Sequence, residues 1–299
     1  MSNSPSTPQL PRSVLLSTDL SCRCDRALDR AVLSAQQWQA RLVALTVVEP
    51  TAASRLDMGH AAWQLARQSA LHIAQRRLHA DMARQNMPVT VRVEQGQVTD
   101  RLLEVAAQET VGLVVTGVAR SEALSRMVLG STVDALVRRS LVPVLVVRER
   151  AWEPYTRVVV ATDFSPAARH ALVKAAAWYP QAELVLFHAH GAPYSLRAGM
   201  DPMQAQLAGF QQARQAAEAF LQDTALPDDV RQRVRLELAY GDPAPLLHTH
   251  GQTHGHDLLV LATRGHSKLL HILLGSVAQR ILEVAQNDVL LVPAPAAME

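Results

Sequence analysis

The sequence has little cysteine and few aromatic residues: two cysteines, and 4% Phe, Trp and Tyr, in 299 residues. Two cysteines cannot supply the framework of disulfides that holds small secreted domains together, which favours a reducing compartment. No apolar run approaches the ~20 residues that a membrane-spanning helix needs. The Ser- and Pro-rich N-terminus also lacks the apolar segment of a secretory signal. These absences predict a cytoplasmic protein with no membrane partner.

An excess of charge of one sign is also absent. The 29 Lys and Arg residues face 27 Asp and Glu residues, which gives a formal net charge of +2. No block of like charges is present, so we expect no nucleic-acid partner. Hydrophobic residues make up 48% of the chain, which is enough for a sizeable core. At ~150 residues per domain, the length predicts about two domains.

Separate segments repeat at a nearly constant spacing. Asp19 in SVLLSTDLS and Asp163 in RVVVATDFS are 144 residues apart. Two pairs of glycines are each 145 residues apart: Gly96 with Gly241, and Gly130 with Gly275. We interpret this as a tandem duplication. Charge and proline interrupt the apolar pattern at 148–154, so we expect a disordered tail at 1–12, a first domain at 13–149 and a second domain at 155–294.

Each half alternates short runs of Val and Leu with segments long enough for crossover helices. The runs lie at 14–17, 42–48, 89–93, 113–116 and 144–147, and again at 158–161, 184–188, 234–238, 258–262 and 289–292. Such unalternated runs are typical of parallel strands that are buried on both faces. Between two of them, residues 203–222 place an apolar stripe at helical spacing: Leu207, Phe210, Ala213, Ala217, Phe220 and Leu221. We predict the α/β class, with two tandem open five-stranded parallel sheets that carry helices on both faces.

The first predicted strand of each half runs into Thr-Asp. Open parallel sheets bind ligands outside the carboxyl ends of their strands, where the strand order reverses. Asp19, and Thr162 with Asp163, are therefore predicted at a ligand-binding edge, where a carboxylate could accept from a ribose hydroxyl or hold a metal. Alternatively, the sequence at 163–166 is a helix cap followed by proline. Both interpretations can hold.

The fourth predicted strand of each half leads into the strongest binding signal. In half two it reads LLVLATRGHSKLLHILLGSVAQRIL. Glycine permits a phosphate to approach the backbone closely, and a helix N-terminus supplies unpaired N–H groups. The predicted site of half two comprises Ala262, Arg264, Gly265, His266, Gly275, Ser276 and Val277, with Lys268 as further positive charge. The predicted site of half one comprises Gly117, Gly130, Ser131 and Thr132.

With these residues the sequence resembles the universal stress protein (UspA-like) family, in two copies over nearly the whole chain. The ATP-binding branch of that family carries G-x2-G-x9-G-[ST] after its fourth strand. In half two the pattern falls on Ala262, Gly265, Gly275 and Ser276, with alanine for the first glycine. In half one it falls on Gly117, Arg120, Gly130 and Ser131, with arginine for the second glycine. The family's acidic residue matches Asp19 and Asp163, its Gly-Asp-Pro stretch matches 241–243, and its terminal P-V-L-V-V matches 143–147.

The resemblance implies a protein that binds ATP or a related adenine nucleotide, with or without Mg²⁺, and acts as a stress-response sensor or regulator with an unidentified protein partner. It also implies that the strands at 143–147 and 288–292 join the halves as an intramolecular pseudo-dimer, with a homodimer as a further option. Half two is expected to be the better site, because Arg120 either blocks the phosphate or binds it in place of amides. Two alternatives stay open: a nucleotide-free interaction scaffold, and a slow ATPase or metal-dependent phosphohydrolase that uses Asp163.

Three smaller features are candidates for other chemistry. The segment HTHGQTHGH could supply zinc or nickel ligands from its four histidines: His248, His250, His254 and His256. Alternatively, these are only surface histidines near the C-terminal end of a helix. Cys22 and Cys24 are too close for an unstrained disulfide, but a position at a helix start could lower a thiol pKa. His188 and His190 follow a strand at the presumed nucleotide edge, where adenine could stack. We predict no catalytic residue, since no nucleophile–base pair or hydrolase motif occurs.

Overall fold

The computed structural model describes residues 9–49, 60–118, 131–191, 201–265 and 274–295. The chain forms two compact units, of which the first is Pro11–Pro154 and the second is Tyr155–Glu299 together with Met1–Leu10. Within the predicted tail, the Gln9 carbonyl accepts from the Trp178 indole at 3.3 Å, and the Arg12 carbonyl accepts from the Arg41 amide at 3.0 Å. Both residues therefore belong to the packed structure.

The first unit alternates strands with helices. Its strands are β1 (Ser13–Ser17), β2 (Arg41–Val48), β3 (Val89–Gln95), β4 (Leu113–Gly117) and β5 (Val144–Val147). Its helices are α1 (Asp25–Trp38), α2 (His60–Met82), α3 (Val98–Gln108) and α4 (Ser131–Arg139), and a short 3₁₀ turn, Cys22–Cys24, precedes α1. The strands pair in parallel in the order β3-β2-β1-β4-β5.

The second unit repeats this arrangement. Its strands are β6 (Arg157–Ala161), β7 (Glu183–His190), β8 (Val234–Tyr240), β9 (Leu258–Ala262) and β10 (Asp288–Val292). Its helices are α5 (Pro166–Trp178), α6 (Pro202–Asp223), α7 (Asp228–Arg233), α8 (Pro243–His254) and α9 (Ser276–Val284). The order β8-β7-β6-β9-β10, again parallel, matches that of the first unit. The predicted fold class is confirmed.

Burial explains why the strand sequences do not alternate. Val14, Leu15 and Leu16 follow one another on β1 and are all fully buried, as are Leu258 and Val260 on β9. Because successive side chains of a strand point to opposite faces, both faces of each sheet must be covered. Runs of Val and Leu are what parallel strands in this position require.

Helix α6 is present as predicted, but its buried stripe differs at one end. Ala213, Ala217 and Phe220 are buried, whereas Leu207 is 57% exposed and Phe210 is 38% exposed. The inward-facing residue at that end is Gly209, where an added Cβ would lie 2.6 Å from a backbone carbonyl oxygen at the end of β7. Small residues let the helix approach the strand closely. The prediction that Leu207 packs on the sheet is therefore wrong, whereas the ring of Phe210 is partly covered and lies 6.0 Å from the ring of His190 on β7.

The strand order reverses beside the first strand of each unit. In the first unit β1 lies between β2 and β4, and in the second β6 lies between β7 and β9. A crevice for a ligand opens at such a reversal, outside the carboxyl ends of the two central strands. In the second unit, the segments that follow β6 and β9 therefore meet at one edge of the sheet.

Candidate functional site

The chain leaves β6 through a tight Thr-Asp-Phe-Ser turn. Phe164 has a φ of 64°, and its amide donates to Thr162 Oγ1 at 2.9 Å. The Ser165 amide donates to Asp163 Oδ1 at 3.0 Å, and Ser165 Oγ in turn accepts from the Ala168 amide at 3.2 Å. The helix cap expected from the sequence is therefore formed, with Ser165 as the residue that caps α5.

The second carboxylate oxygen of Asp163 lies against Gly265, which follows β9. A Cβ built on Gly265 would be 2.3 Å from Asp163 Oδ2, far inside any real contact distance. Asp163 can hold this position only because residue 265 is glycine. Both residues are exposed at the carboxyl edge of the sheet. The structure thus brings together two of the residues that the sequence assigned to one site.

The loop after β9 closes at its base. The Thr263 amide donates to the Val292 carbonyl at 2.9 Å, and the Thr263 carbonyl accepts from the Gly275 amide at 3.1 Å. Gly275 is the N-cap of α9, and no side chain in the described part of the chain caps that helix. Ser276 and Val277 follow in the first turn and are exposed. The amide of Gly275 is therefore already used, whereas the first turn of α9 begins without a side-chain cap.

Glycine at 275 is not needed for packing among the described residues. An added Cβ there would meet only the Thr263 carbonyl oxygen, at 3.9 Å. The φ of −57° is also one that any residue adopts. Of the remaining predicted residues of half two, Ala262 ends β9 and Arg264 is exposed in the loop that follows. His266 and Lys268 lie outside the described residues.

An aromatic pair stands beside the Asp163 turn. The ring of His188, on β7, lies 4.2 Å from the ring of Phe164 at an angle of 34°, and its Nδ1 is 2.8 Å from the Thr162 carbonyl oxygen. A carbonyl only accepts, so Nδ1 carries the hydrogen and Nε2 keeps a lone pair in the neutral ring. Burial lowers the pKa of His188, although the Thr162 carbonyl acts in the opposite direction. His190 instead packs against aromatic rings of α6 and β8.

Asp242 ties helix α8 to helix α9. Its Oδ1 accepts from the Ala244 amide at 3.2 Å and caps α8, while its Oδ2 forms an ion pair with Arg280 on α9. The guanidinium, and after it the Ala244 amide, lower the pKa of Asp242. Gly241, with a φ of 132°, makes the turn out of β8 that places Asp242 there. The Gly-Asp-Pro stretch therefore supplies the carboxylate that pairs with α9, the helix that Gly275 precedes.

Phe164 and Arg280 are two residues of this edge that the sequence does not predict. The available signal for Phe164 was an aromatic residue directly after Thr-Asp, which half one lacks. The available signal for Arg280 was a basic residue one turn into the helix that follows Gly275. Neither signal identifies a partner, because both contacts join segments that are distant in sequence.

The turn after β1 has the same backbone but different side-chain partners. Leu20 has a φ of 61° and its amide donates to Thr18 Oγ1 at 3.0 Å, while the Ser21 amide donates to Asp19 Oδ1 at 2.9 Å. The thiol of Cys24 also donates to Asp19 Oδ1, at 3.2 Å. Burial raises the pKa of Cys24 to about 11. The expectation of an activated thiol is therefore wrong for Cys24.

The other predicted residues of half one are placed in part. Gly117 ends β4, and Ser131 and Thr132 begin α4. Gly130 and Arg120 lie outside the described residues. The structure therefore brings Asp19 to the same edge of the sheet as the end of β4, because β1 and β4 are parallel neighbours.

The four histidines of the α8 segment point to different partners. His248 Nδ1 lies 3.0 Å from the Val284 carbonyl oxygen, whereas His250 and His256 are buried with their Nδ1 atoms 3.3 Å apart. The ring of His254 stacks on that of His250. Within the described part of the chain, no group of three or more His, Cys, Asp or Glu side chains could hold a metal. Metal binding here stays a prediction.

Comparison with known families adds to this geometry. Residues 11–148, and again residues 154–293, match the model of the Universal stress protein family. The chain belongs to the universal stress protein family. A search of curated proteins found no match. No helix in the described ranges has the length and apolar character needed to cross a bilayer.

Solved structures resemble this universal stress protein over most of its length. One is a putative universal stress protein from Pseudomonas aeruginosa UCBPP-PA14, 18% identical, which covers 95% of this chain and 94% of its own, with a TM-score of 0.66. Another is a universal stress protein from Archaeoglobus fulgidus DSM 4304, also 18% identical, which covers 96% of this chain and 97% of its own, with a TM-score of 0.62. At this identity, the likeness shows a shared fold.

Proposed function

We propose that this universal stress protein binds ATP, or a related adenine nucleotide, in its second unit and acts as a stress-response sensor or regulator. The proposed site lies at the carboxyl edge of the sheet, where the segments after β6 and β9 meet. One observation carries the proposal: the carboxylate of Asp163 lies against Gly265, on the loop that leads to the start of α9, a helix end that no side chain of the described residues caps.

The phosphates are assigned to the start of α9. The first amides of a helix point outward, and the helix dipole favours an anion at that end. Ser276 adds an exposed hydroxyl, and Arg264 adds positive charge on the loop. The retained spacing from Gly265 to Gly275 and Ser276 supports this assignment, because the family resemblance attaches the same spacing to ATP binding.

The sugar and base are assigned to the turn after β6. The carboxylate of Asp163 can accept from ribose hydroxyls, since it stands exposed beside the loop. The tilted Phe164–His188 ring pair offers aromatic surface beside the turn, and the Nε2 lone pair of neutral His188 can accept from an amino group. An aromatic surface favours a ligand that carries a purine ring over one that has only phosphate groups.

A nucleotide-free interaction scaffold is the second candidate function. Two observations favour it: the Gly275 amide already donates to the Thr263 carbonyl, and alanine stands at 262 where the ATP-binding branch has glycine. In that case the first turn of α9 would be a solvated helix end, and the duplicated fold would serve protein partners alone.

Identification of a co-purifying ligand separates the two candidates. The full-length protein is purified without added nucleotide and denatured, and the released small molecules are identified by mass spectrometry. Calorimetry of the ligand-free protein against ATP with Mg²⁺ follows, with GTP as the matched control. We expect an adenine nucleotide in the extract and heat of binding with ATP only. An empty extract together with flat titrations would leave the scaffold as the function.

A further inference from the structure

Two buried imidazoles meet at the C-terminal end of α8, at the amino edge of the second sheet. His250 and His256 are 7% and 5% exposed, and their Nδ1 atoms are 3.3 Å apart. On the other side of His250, its Nε2 lies 2.8 Å from Glu237 Oε2 on β8. We call these three residues the histidine latch. It links the C-terminal part of α8, and His256 two residues beyond the helix, to the sheet.

The latch has room for one proton between its two rings. The Glu237 carboxylate lies 2.8 Å from His250 Nε2 but outside hydrogen-bond geometry, and its negative charge favours the tautomer of His250 that carries its hydrogen on Nε2. His250 Nδ1 is then the acceptor, and His256 Nδ1–H is the donor. A second proton on His250 would set two N–H groups head to head, and a second proton on His256 would create a buried cation.

Several charged groups surround the latch. On β8, Glu237 favours protonation of His250 and Arg235 opposes it; on α8, His254 stacks on His250 at 4.6 Å and also opposes it. Around His256, Asp257 favours protonation, while Arg157 on β6 opposes it. Burial is the largest effect on both rings: it lowers the pKa of His250, and it lowers the pKa of His256 to about 4.

We propose that the histidine latch holds the last turn of α8 against the sheet at neutral pH and releases it when acid protonates the pair. The release would reach α9, because α8 is tied to α9 at two points. Asp242 pairs with Arg280, and His248 faces the Val284 carbonyl at the end of α9. The latch makes the second unit acid-sensitive whether or not the protein binds a nucleotide.

The direction of the pH effect follows from the lowered pKa values. An imidazole released to solvent regains a pKa of about 6.5, so between about pH 6.5 and pH 4 the open state binds more protons than the closed state. Acidification across this window therefore favours opening, and below the closed-state pKa the effect levels off. We expect the opening equilibrium of the last turn of α8 to rise at least about tenfold from pH 7 to pH 5.

Two measurements on the full-length protein, both in EDTA, test the latch. The first follows each histidine by NMR titration with ¹³C-labelled imidazoles, and we expect His256 to titrate near pH 4. The second follows amide exchange in α8, corrected for its intrinsic pH dependence, in the wild type and in His256→Gln. The variant should lose the acid-induced opening, whereas His248→Gln, in the same segment but outside the latch, should keep it.

Three results would overturn the proposal. One is a His256 that titrates near pH 6.5 as an exposed histidine does. Another is acid-induced opening of equal size in the wild type and in His256→Gln. The third is a wild-type exchange rate in α8 that does not change between pH 7 and pH 5 after correction. If His256→Gln fails to fold, the histidine titration and the amide exchange of the wild type still test the proposal.

Discussion

The two units of this protein share a backbone plan and differ in the side chains around it. After β1 and after β6 the same Thr-Asp-x-Ser turn forms, with a positive φ at Leu20 and at Phe164. In the second unit the carboxylate of this turn lies against a glycine of the loop after β9. In the first unit it accepts from the thiol of Cys24. The fold determines the turn, but neighbouring side chains determine what the carboxylate can do.

One pair of matched positions bears directly on where the carboxylate can lie. Residue 265 is glycine, and the residue at the same place in half one is Arg120. With the same backbone, the Cβ of an arginine would exclude the carboxylate position of Asp163, since even a bare Cβ comes within 2.3 Å of it. We therefore expect the first unit to lack the arrangement that we assign to nucleotide binding.

The helix at each candidate phosphate site, α9 in the second unit and α4 in the first, is also held by different contacts. In the second unit Asp242 caps α8 and pairs with Arg280 on α9. In the first unit the matching residues are Gln97, which makes no side-chain cap, and Ala135, which carries no charge. In the first unit a different ion pair joins the matching helices, between Asp100 on α3 and Arg139 at the end of α4, at 2.7 Å. The two units therefore tie these helices together at different positions.

The largest expected difference between the units comes from Gly275→Val compared with Gly130→Val. A valine at 275 fits the described backbone but puts a branched side chain at the start of α9, where the phosphates are assigned. We expect ATP affinity to fall about 100-fold or more, which is about 2.7 kcal/mol. Calorimetry measures this, with circular dichroism as the check on folding. Gly130→Val should change the affinity less than threefold; equal losses would show that the second unit is not the preferred site.

A smaller difference is expected between Asp163→Ala and Asp19→Ala. A hydrogen bond from a ribose hydroxyl to a carboxylate contributes about 1.5–3 kcal/mol, so Asp163→Ala should weaken ATP binding about tenfold or more. Asp19→Ala should leave the affinity of the second unit unchanged. Fluorescence titration with an adenine nucleotide measures both variants. Binding that survives Asp163→Ala at full strength would remove this carboxylate from the site.

Much of this fold can be predicted from the sequence, because local signals agree with tertiary structure. Runs of Val and Leu without alternation indicate where the buried parallel strands lie. The offset of 144 residues between Asp19 and Asp163, nearly the same as that between the matched glycines, shows that the same order of strands occurs twice. Element ends shift by only a few residues, since strand pairing extends runs into polar positions such as Arg41 and His190.

The candidate site is less predictable, because its contacts depend on long-range packing. The sequence cannot show that the Gly275 amide is taken by Thr263, since that bond closes a loop over twelve positions. The environment of Cys24 is a similar case, because a helix start lowers a thiol pKa whereas burial raises it. Burial has the larger effect here, and only the tertiary structure shows it.

The smallest expected effect is that of Arg280→Ala, which gives α9 the alanine found at the matching position of the first unit. Both partners are exposed, so we expect the melting temperature to fall by only a few degrees. The Arg280 guanidinium lowers the pKa of Asp242, so the pair stabilises the fold above about pH 4 and loses this effect as pH falls through the lower folded value. The difference between variant and wild type should therefore shrink in acid and in 1 M NaCl. Arg214→Ala, which breaks an exposed pair within α6, is the matched control for charge removal. A difference that persists at high salt would mean that Arg280 acts through packing rather than through its ion pair with Asp242.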